Sequence, residues 1–317
     1  MSPGAEKITE MTNGFSKIVG MVAAIVVSVL ILLIPPSEGA IKFKYITSIY
    51  ADDQGVGLKD PEGVACNNQD LLIAADSGNG RLLRYTFKDG AIELGTVEIK
   101  PKQLLYPVKT EINSRGEIYI LDRKKRGILR LSPSGEPRGY VQPVGLPSPT
   151  GYVPDSFTID REDNIYILDI LSQRVLTLSP EGRYLRQLAF PQGYGFFSDI
   201  AVDYKGTVFI VDSVKGIIYS AAKLSSGFSP LTKSLKEYAR FPASLTADNR
   251  GRLYLVDRNG GSILILGQDG SFLGRQSRMG WKEGWLNYPA QMCINDKGEI
   301  FVADTMNSRV QVFELVE

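Results

Sequence analysis

The sequence predicts an all-β, six-bladed β-propeller of four-stranded antiparallel blades, and three recurring columns of residues carry that prediction. Six segments end in aspartate: LIAAD, IYILD, IYILD, VFIVD, LYLVD and IFVAD, closing at Asp76, Asp122, Asp169, Asp212, Asp257 and Asp304 with spacings of 43 to 47 residues. Nine residues before each stands Asn67, Asn113, Asp160, Asp203, Asp248 or Asn295. Fifteen before stands Pro61, Pro107, Pro154, Pro242 or Pro289, with Phe197 in the remaining slot. A period of this length with four short strands per unit marks a propeller and not a helical solenoid.

Each element of the unit has a mechanical reason. Proline opens the innermost strand, where its missing N–H does least harm. The Asn/Asp column begins a tight turn such as NSRG, DYKG or NDKG, in which glycine supplies the turn conformation. The second strand is apolar on both faces because a blade is packed on both sides. Its terminal aspartate accepts N–H groups of the following loop, so all six column aspartates are expected to be structural turn caps, each worth about 1 kcal/mol. A third strand follows (RLLRY, GILRL, RVLTL, GIIYS, SILIL and RVQVF), then a polar turn and a fourth strand such as SFLGRQ. The last unit stops after its third strand, and residues 43–50 parallel the link between units five and six. An N-terminal strand is therefore expected to complete blade six and close the ring over residues 41–317.

Residues 1–40 form a separate region. Positions 18–34, IVGMVAAIVVSVLILLI, are uncharged and mostly aliphatic, long enough as a helix for ~26 Å, the lower limit for a bilayer core. Pro35-Pro36 and the small residues after them suit a cleaved signal peptide; the long apolar run and polar leader suit an uncleaved N-terminal membrane anchor. The leader is nearly neutral and does not set orientation. Either reading puts the ring outside the cytoplasm, in the periplasm or cell envelope.

Composition narrows the chemistry. The chain of 317 residues has a formal net charge of +1, so no global basic field draws it to nucleic acid. It has no histidine, which removes Ser-His-Asp and Cys-His catalysis and histidine-ligated zinc or haem.

The units resemble NHL repeats: a Pro-led strand, an Asp-ended strand, and an N-x-R-I/V-x-V-F strand that residues 79–85 and 307–313 match best. The resemblance covers residues 41–317 and implies the six-bladed fold. It does not imply one function, since propellers host binding, scaffolding and catalysis alike. Amidating-lyase relatives use histidine-bound zinc, an activity that a chain without histidine lacks. Some animal relatives bind single-stranded RNA; the near-neutral charge and the apolar leader argue against nucleic acid as a partner of this chain.

Two places attract a functional reading. On the face that carries the strand-entry and post-aspartate loops, aromatic residues collect: Tyr106, Tyr152, Tyr194, Phe196, Tyr238, Phe241, Trp285 and Tyr288. Beside them stand the basic residues Arg123, Lys124, Lys125, Arg126 and Arg258. Aromatic and basic groups together suit a protein or a small acidic or planar ligand; the competing reading is that the aromatics plug the blade ends and the basic loop is solvated. At the channel mouth Glu62, Asp155 and Asp199 are candidate oxygen ligands for calcium, as in lactonase-like propellers, with Lys109 a competing charge. The expectation is a non-enzymatic binding or scaffold module with no cofactor. The alternative is a divalent-metal hydrolase or lyase with its site at the channel mouth. Cys66 and Cys293 have opposite strand parity in neighbouring blades and can share an interface, but inner strands are expected to sit too far apart for the ~5.5 Å Cα spacing of a disulfide. Two buried thiols are therefore expected.

Overall fold

The computed structural model describes residues 41–316, and these fold as six antiparallel sheets in a ring. The hydrophobic N-terminal helix and the choice between signal peptide and anchor lie outside the described residues. Among the described residues no helix is long and apolar enough to cross a membrane; the only helical pieces are two three-residue 3₁₀ turns, Ser77–Asn79 and Thr305–Asn307.

Blades two, three, four and five each run in sequence order from an inner strand (Pro107–Ile112, Pro154–Ile159, Phe197–Val202 and Pro242–Ala247) to an outer one. Blade one breaks its outer position into two short strands, Ala91–Ile92 and Val97–Ile99, both paired with Arg81–Lys88. In blade six the order is Lys42–Ile49, Arg309–Val316, Glu299–Asp304 and Met292–Ile294. The first strand of the ring thus pairs with the last, from Lys42 opposite Val316 to Ile49 opposite Val310. The expected closure by residues 43–50 is observed.

The core lies between blades. One apolar cluster joins Leu72, Leu83 and Tyr85 of blade one to Phe301, Val310 and Val312 of blade six, and similar clusters fill the next four seams in sequence order. Second strands such as Ile118–Asp122 are buried at every position because both faces meet a neighbour.

The turn column works in every blade. Each Oδ1 of Asn67, Asn113, Asp160, Asp203, Asp248 and Asn295 accepts the N–H groups two and four residues on. These side chains thereby replace part of the backbone pairing that the chain gives up on reversing direction.

The aspartate column does more than the sequence suggests. Asp122 accepts from Lys124 and Lys125 after it, as expected, but also from Leu105 (2.7 Å) and Tyr106 (3.3 Å) in the loop entering the inner strand. Asp212 repeats this with Val214, Lys215, Gly195 and Phe196. The aspartate is thus a buried clamp between two loops in five blades, while Asp257 of blade five holds the entry loop through the Arg240 and Phe241 N–H groups. In blades one, three and six it also meets a buried arginine five residues on: Arg81 (2.7 Å), Arg174 (3.0 Å) and Arg309 (2.7 Å).

Cys66 and Cys293 form a disulfide with a Cα–Cα distance of 6.0 Å, which corrects the expectation of two thiols. The inner strands are the ones nearest the ring axis, where neighbouring blades come closest. The adjoining turns are also joined: Asn68 Nδ2 donates to Asp296 (2.6 Å) and the Asp296 N–H returns a bond to Asn68 Oδ1 (2.8 Å). Blade six is therefore closed twice, at its outer edge by the N-terminal strand and at its inner edge by a covalent link spanning 227 residues.

Two stability measurements test these devices. Asp169→Ala leaves Arg174 as a buried cation without its counter-charge and should cost about 3–5 kcal/mol in urea unfolding, more than a lost cap alone. Asp257→Ala, whose carboxylate holds the Arg240 and Phe241 N–H groups, should cost only about 1–2 kcal/mol; equal losses would contradict the clamp-plus-arginine account. Removing the disulfide by Cys66→Ser with Cys293→Ser should lower stability by about 2–5 kcal/mol, read as a lower denaturant midpoint, with the far-ultraviolet β signal retained because the outer strand still closes the ring.

Candidate functional site

The entry residue of blades two to five pairs with the column aspartate, and the register shifts directly after it: Pro107/Lys109, Pro154/Ser156, Phe197/Asp199 and Pro242/Ser244. A bulge at each strand entry re-aims the next side chains toward the axis. Together they line a cavity of about 530 Å³ at the entry-face mouth of the channel.

Lys109 of blade two forms the floor. Its Nζ donates to Ser156 Oγ (3.1 Å) on blade three and pairs with Asp199 on blade four. Ser156 donates to the same Asp199 oxygen, while Asp199 Oδ2 accepts the Leu245 N–H of blade five at 2.8 Å. One ion pair and its hydrogen bonds thus link four inner strands. Opposite, Gln291 of blade six accepts from the Val64 and Thr110 N–H groups (3.1 and 3.2 Å) and donates to the Thr110 carbonyl (3.0 Å).

The candidate metal residues Glu62, Asp155 and Asp199 all line this cavity. Glu62, however, accepts from Tyr106 Oη (2.9 Å) and pairs with Arg123 (3.1 Å), and Asp199 is committed to Lys109. Among the described residues no three acidic or cysteine side chains are grouped to hold a metal ion. The arrangement falls short of the six to eight oxygens that calcium takes. Asp155 has its carboxyl raised by burial, with Arg123 opposing and Asp199 reinforcing the shift.

The binding-face candidates separate. Arg123, Arg126, Arg258, Phe196 and Phe241 line the cavity. Lys124 lies over the Tyr106 ring, and Lys125 contributes a backbone N–H to Asp122. Tyr152 is drawn into the seam between blades two and three and donates to the Val141 carbonyl (2.7 Å). Tyr194 stacks on Phe197 and Tyr238 on Phe272, with centroids 4.9 and 4.2 Å apart. Trp285 lies under Arg278 at 3.8 Å. Tyr288 is exposed and holds a left-handed φ of 49°. Most of the aromatics therefore close blade ends, and two face the mouth.

A column that the sequence reading passed over separates latch from lining. The residue after each aspartate is Ser77, Arg123, Ile170, Ser213, Arg258 or Thr305. Ser77, Ser213 and Thr305 donate to the carbonyl of the next blade's entry proline, at Pro107, Pro242 and Pro61. Arg123, Ile170 and Arg258 line the cavity instead. The signal was available: three small hydroxyl residues against three large side chains at one repeat position.

Glu111, also unremarked in the sequence, follows Lys109 by two residues on the same strand and so shares its side of the sheet. Its carboxylate makes no hydrogen bond among the described residues; burial pushes that group up to about 7, with Lys109 opposing and Asp199 adding to the rise. A glutamate raised above its unfolded value of ~4.3 binds its proton more tightly in the folded state, so stability falls as pH rises from ~4.3 to ~7. Glu111→Gln should therefore be more stable than the parent by about 1–3 kcal/mol at pH 8 and should converge with it below pH ~4. Urea unfolding at three pH values measures this; a pH-independent difference would contradict it.

Comparison with known proteins fits the architecture. The NHL repeat family profile matches residues 286–313, the greater part of blade six. NHL repeat-containing protein 3 of Homo sapiens is 28% identical over 125 residues, 35% of this chain and 36% of that relative. The match thus spans about a third of the relative's length. Among solved structures, a gluconolactonase from Xanthomonas campestris aligns over 89% of this chain and 99% of its own, with TM-score 0.63 and 14% identity. A catalytically inactive histidine-to-alanine variant of virginiamycin B lyase from Staphylococcus aureus, with quinupristin, aligns over 87% of this chain and 100% of its own, at 0.61 and 15%. The nidogen/laminin complex gives 0.57 and 16% over 74% of this chain and 92% of that one. Identities this low speak to the fold alone. With six registered repeats and a ring closed by its first strand, the chain is a six-bladed β-propeller, and its sixth blade matches the NHL repeat profile.

Proposed function

We propose that the ring is a non-enzymatic binding and scaffold module outside the cytoplasm, and that it takes an acidic group of its partner at the entry-face mouth. The observation that carries this reading is the charge left over at the cavity. Lys109 is matched by Asp199 and Arg123 by Glu62, whereas Arg126 and Arg258 line the cavity with no carboxylate partner among the described residues. Arginine in such a position favours planar, bidentate recognition of carboxylates.

The absence of histidine supports binding over catalysis: a structural neighbour whose inactive form differs by one histidine relies on a group this chain does not have. The Cys66–Cys293 disulfide supports an oxidising compartment, in keeping with the apolar segment at 18–34.

Partner capture from membranes by the full chain tests the reading. Arg126→Glu with Arg258→Glu should reduce capture at least about ten-fold, and capture by the parent should weaken with salt. Lys88→Glu, on the outer side of blade one, should leave it unchanged. Capture indifferent to the reversal would overturn the proposal. A bound divalent cation lost on Glu62→Gln with Asp155→Asn would favour the metal-enzyme alternative.

A further inference from the structure

The ligand class can be narrowed, in an inference that rests on the mouth-binding reading above. We propose that the cavity is a slot for a planar hydroxyaryl carboxylate: the carboxylate meets Arg258, the ring lies against Phe196 and Phe241, and the hydroxyl reaches Ser244.

Ser244 is the first observation. It is 4% exposed, lines the cavity, and its Oγ has no hydrogen-bond partner among the described residues. A buried hydroxyl without a partner is costly, and this one belongs to a residue lining a cavity whose volume lies in the small-ligand range. It sits three residues deeper than Phe241 on the inner strand of blade five, roughly 10 Å along an extended chain. The slot therefore has a polar end inside and a rim outside.

Phe196 and Phe241 are the second observation. They occupy the same repeat position in adjacent blades, immediately before the entry residue, and both face the cavity. Their backbones are pinned: the Phe196 N–H by Asp212 (3.2 Å) and the Phe241 N–H by Asp257 (2.8 Å). Two rings on rigid supports in neighbouring blades offer apolar walls to a flat body.

Charge sets the direction. Arg258 stands at the rim beside Phe241, whose carbonyl accepts the Arg258 N–H at 2.9 Å. The floor is already neutralised by the Lys109–Asp199 pair, and Asp155 would repel an anion there. The anionic end thus belongs at the rim and the neutral polar end at Ser244.

Ligand-observed NMR titration of the full chain with 4-hydroxybenzoate and with benzoate, at millimolar concentration, tests this. The hydroxylated probe should bind about five-fold more tightly, the worth of one hydrogen bond. Ser244→Ala should abolish that preference while leaving benzoate binding unchanged, and Arg258→Gln should weaken both probes about ten-fold; unaltered melting temperatures show that both variants fold. Absence of binding by either probe, or binding unchanged in both variants, would overturn the inference. Dependence on Arg258 without dependence on Ser244 would also overturn it, by removing the polar end. Failure of the probes while partner capture still responds to charge reversal would sink the slot alone; failure of both would sink the mouth-binding reading with it.

Discussion

Six buried carboxylates hold this ring in shape. Each stands at the end of a second strand, 0 or 1% exposed, where an ion can persist only if its lone pairs are filled. In every blade the filling groups include backbone N–H donors of the loop entering the inner strand; N–H donors of the loop leaving the second strand join them in blades two, three and four, and the Asn79 and Asn307 side-chain amides in blades one and six. Satisfying the charge therefore fixes the entry loop of every blade, and with it the rim of the channel mouth. The bulges that follow turn the next side chains inward. A stability device and the geometry of the cavity are consequences of one constraint.

The constraint is the same in every blade, but its accessories are not. Blades one, three and six add a buried arginine to the clamp; blades two, four and five have Gly127, Ile217 and Ser262 at that position. Blades one, four and six latch to their neighbour through a hydroxyl; blades two, three and five point Arg123, Ile170 and Arg258 at the mouth. The side chains of this column that line the cavity thus sit where a repeat gives up its hydroxyl latch. The pairing Lys109–Asp199 crosses from blade two to blade four by way of Ser156, so the floor of the cavity is also a tie across the ring.

Much of this was legible in the chain. The turn column, the aspartate column and the closing strand were all readable because each is local: a side chain bonds backbone groups a few residues away, or a strand is missing from one end and present at the other. Sites were less legible because they arise across blades. Eight aromatics share the face in sequence terms, yet Tyr152 and Tyr194 turn into seams while Phe196 and Phe241 turn to the channel. The difference lies in what each neighbouring blade offers to pack against. Parity allowed Cys66 and Cys293 to share an interface, but parity says nothing of distance, and it is convergence toward the axis that brings their Cα atoms to 6.0 Å.

The sequence by itself determined the repeat, the number of blades, the strand order and the closure, because a period repeated six times leaves little room for another arrangement of hydrogen bonds. It also excluded histidine chemistry outright. The tertiary structure alone decided which charges are matched, which buried hydroxyls are left without a partner among the described residues, and which side chains reach a common cavity. Those properties depend on the approach of strands separated by 40 to 230 residues, and the ring sets that approach by packing each blade against two others.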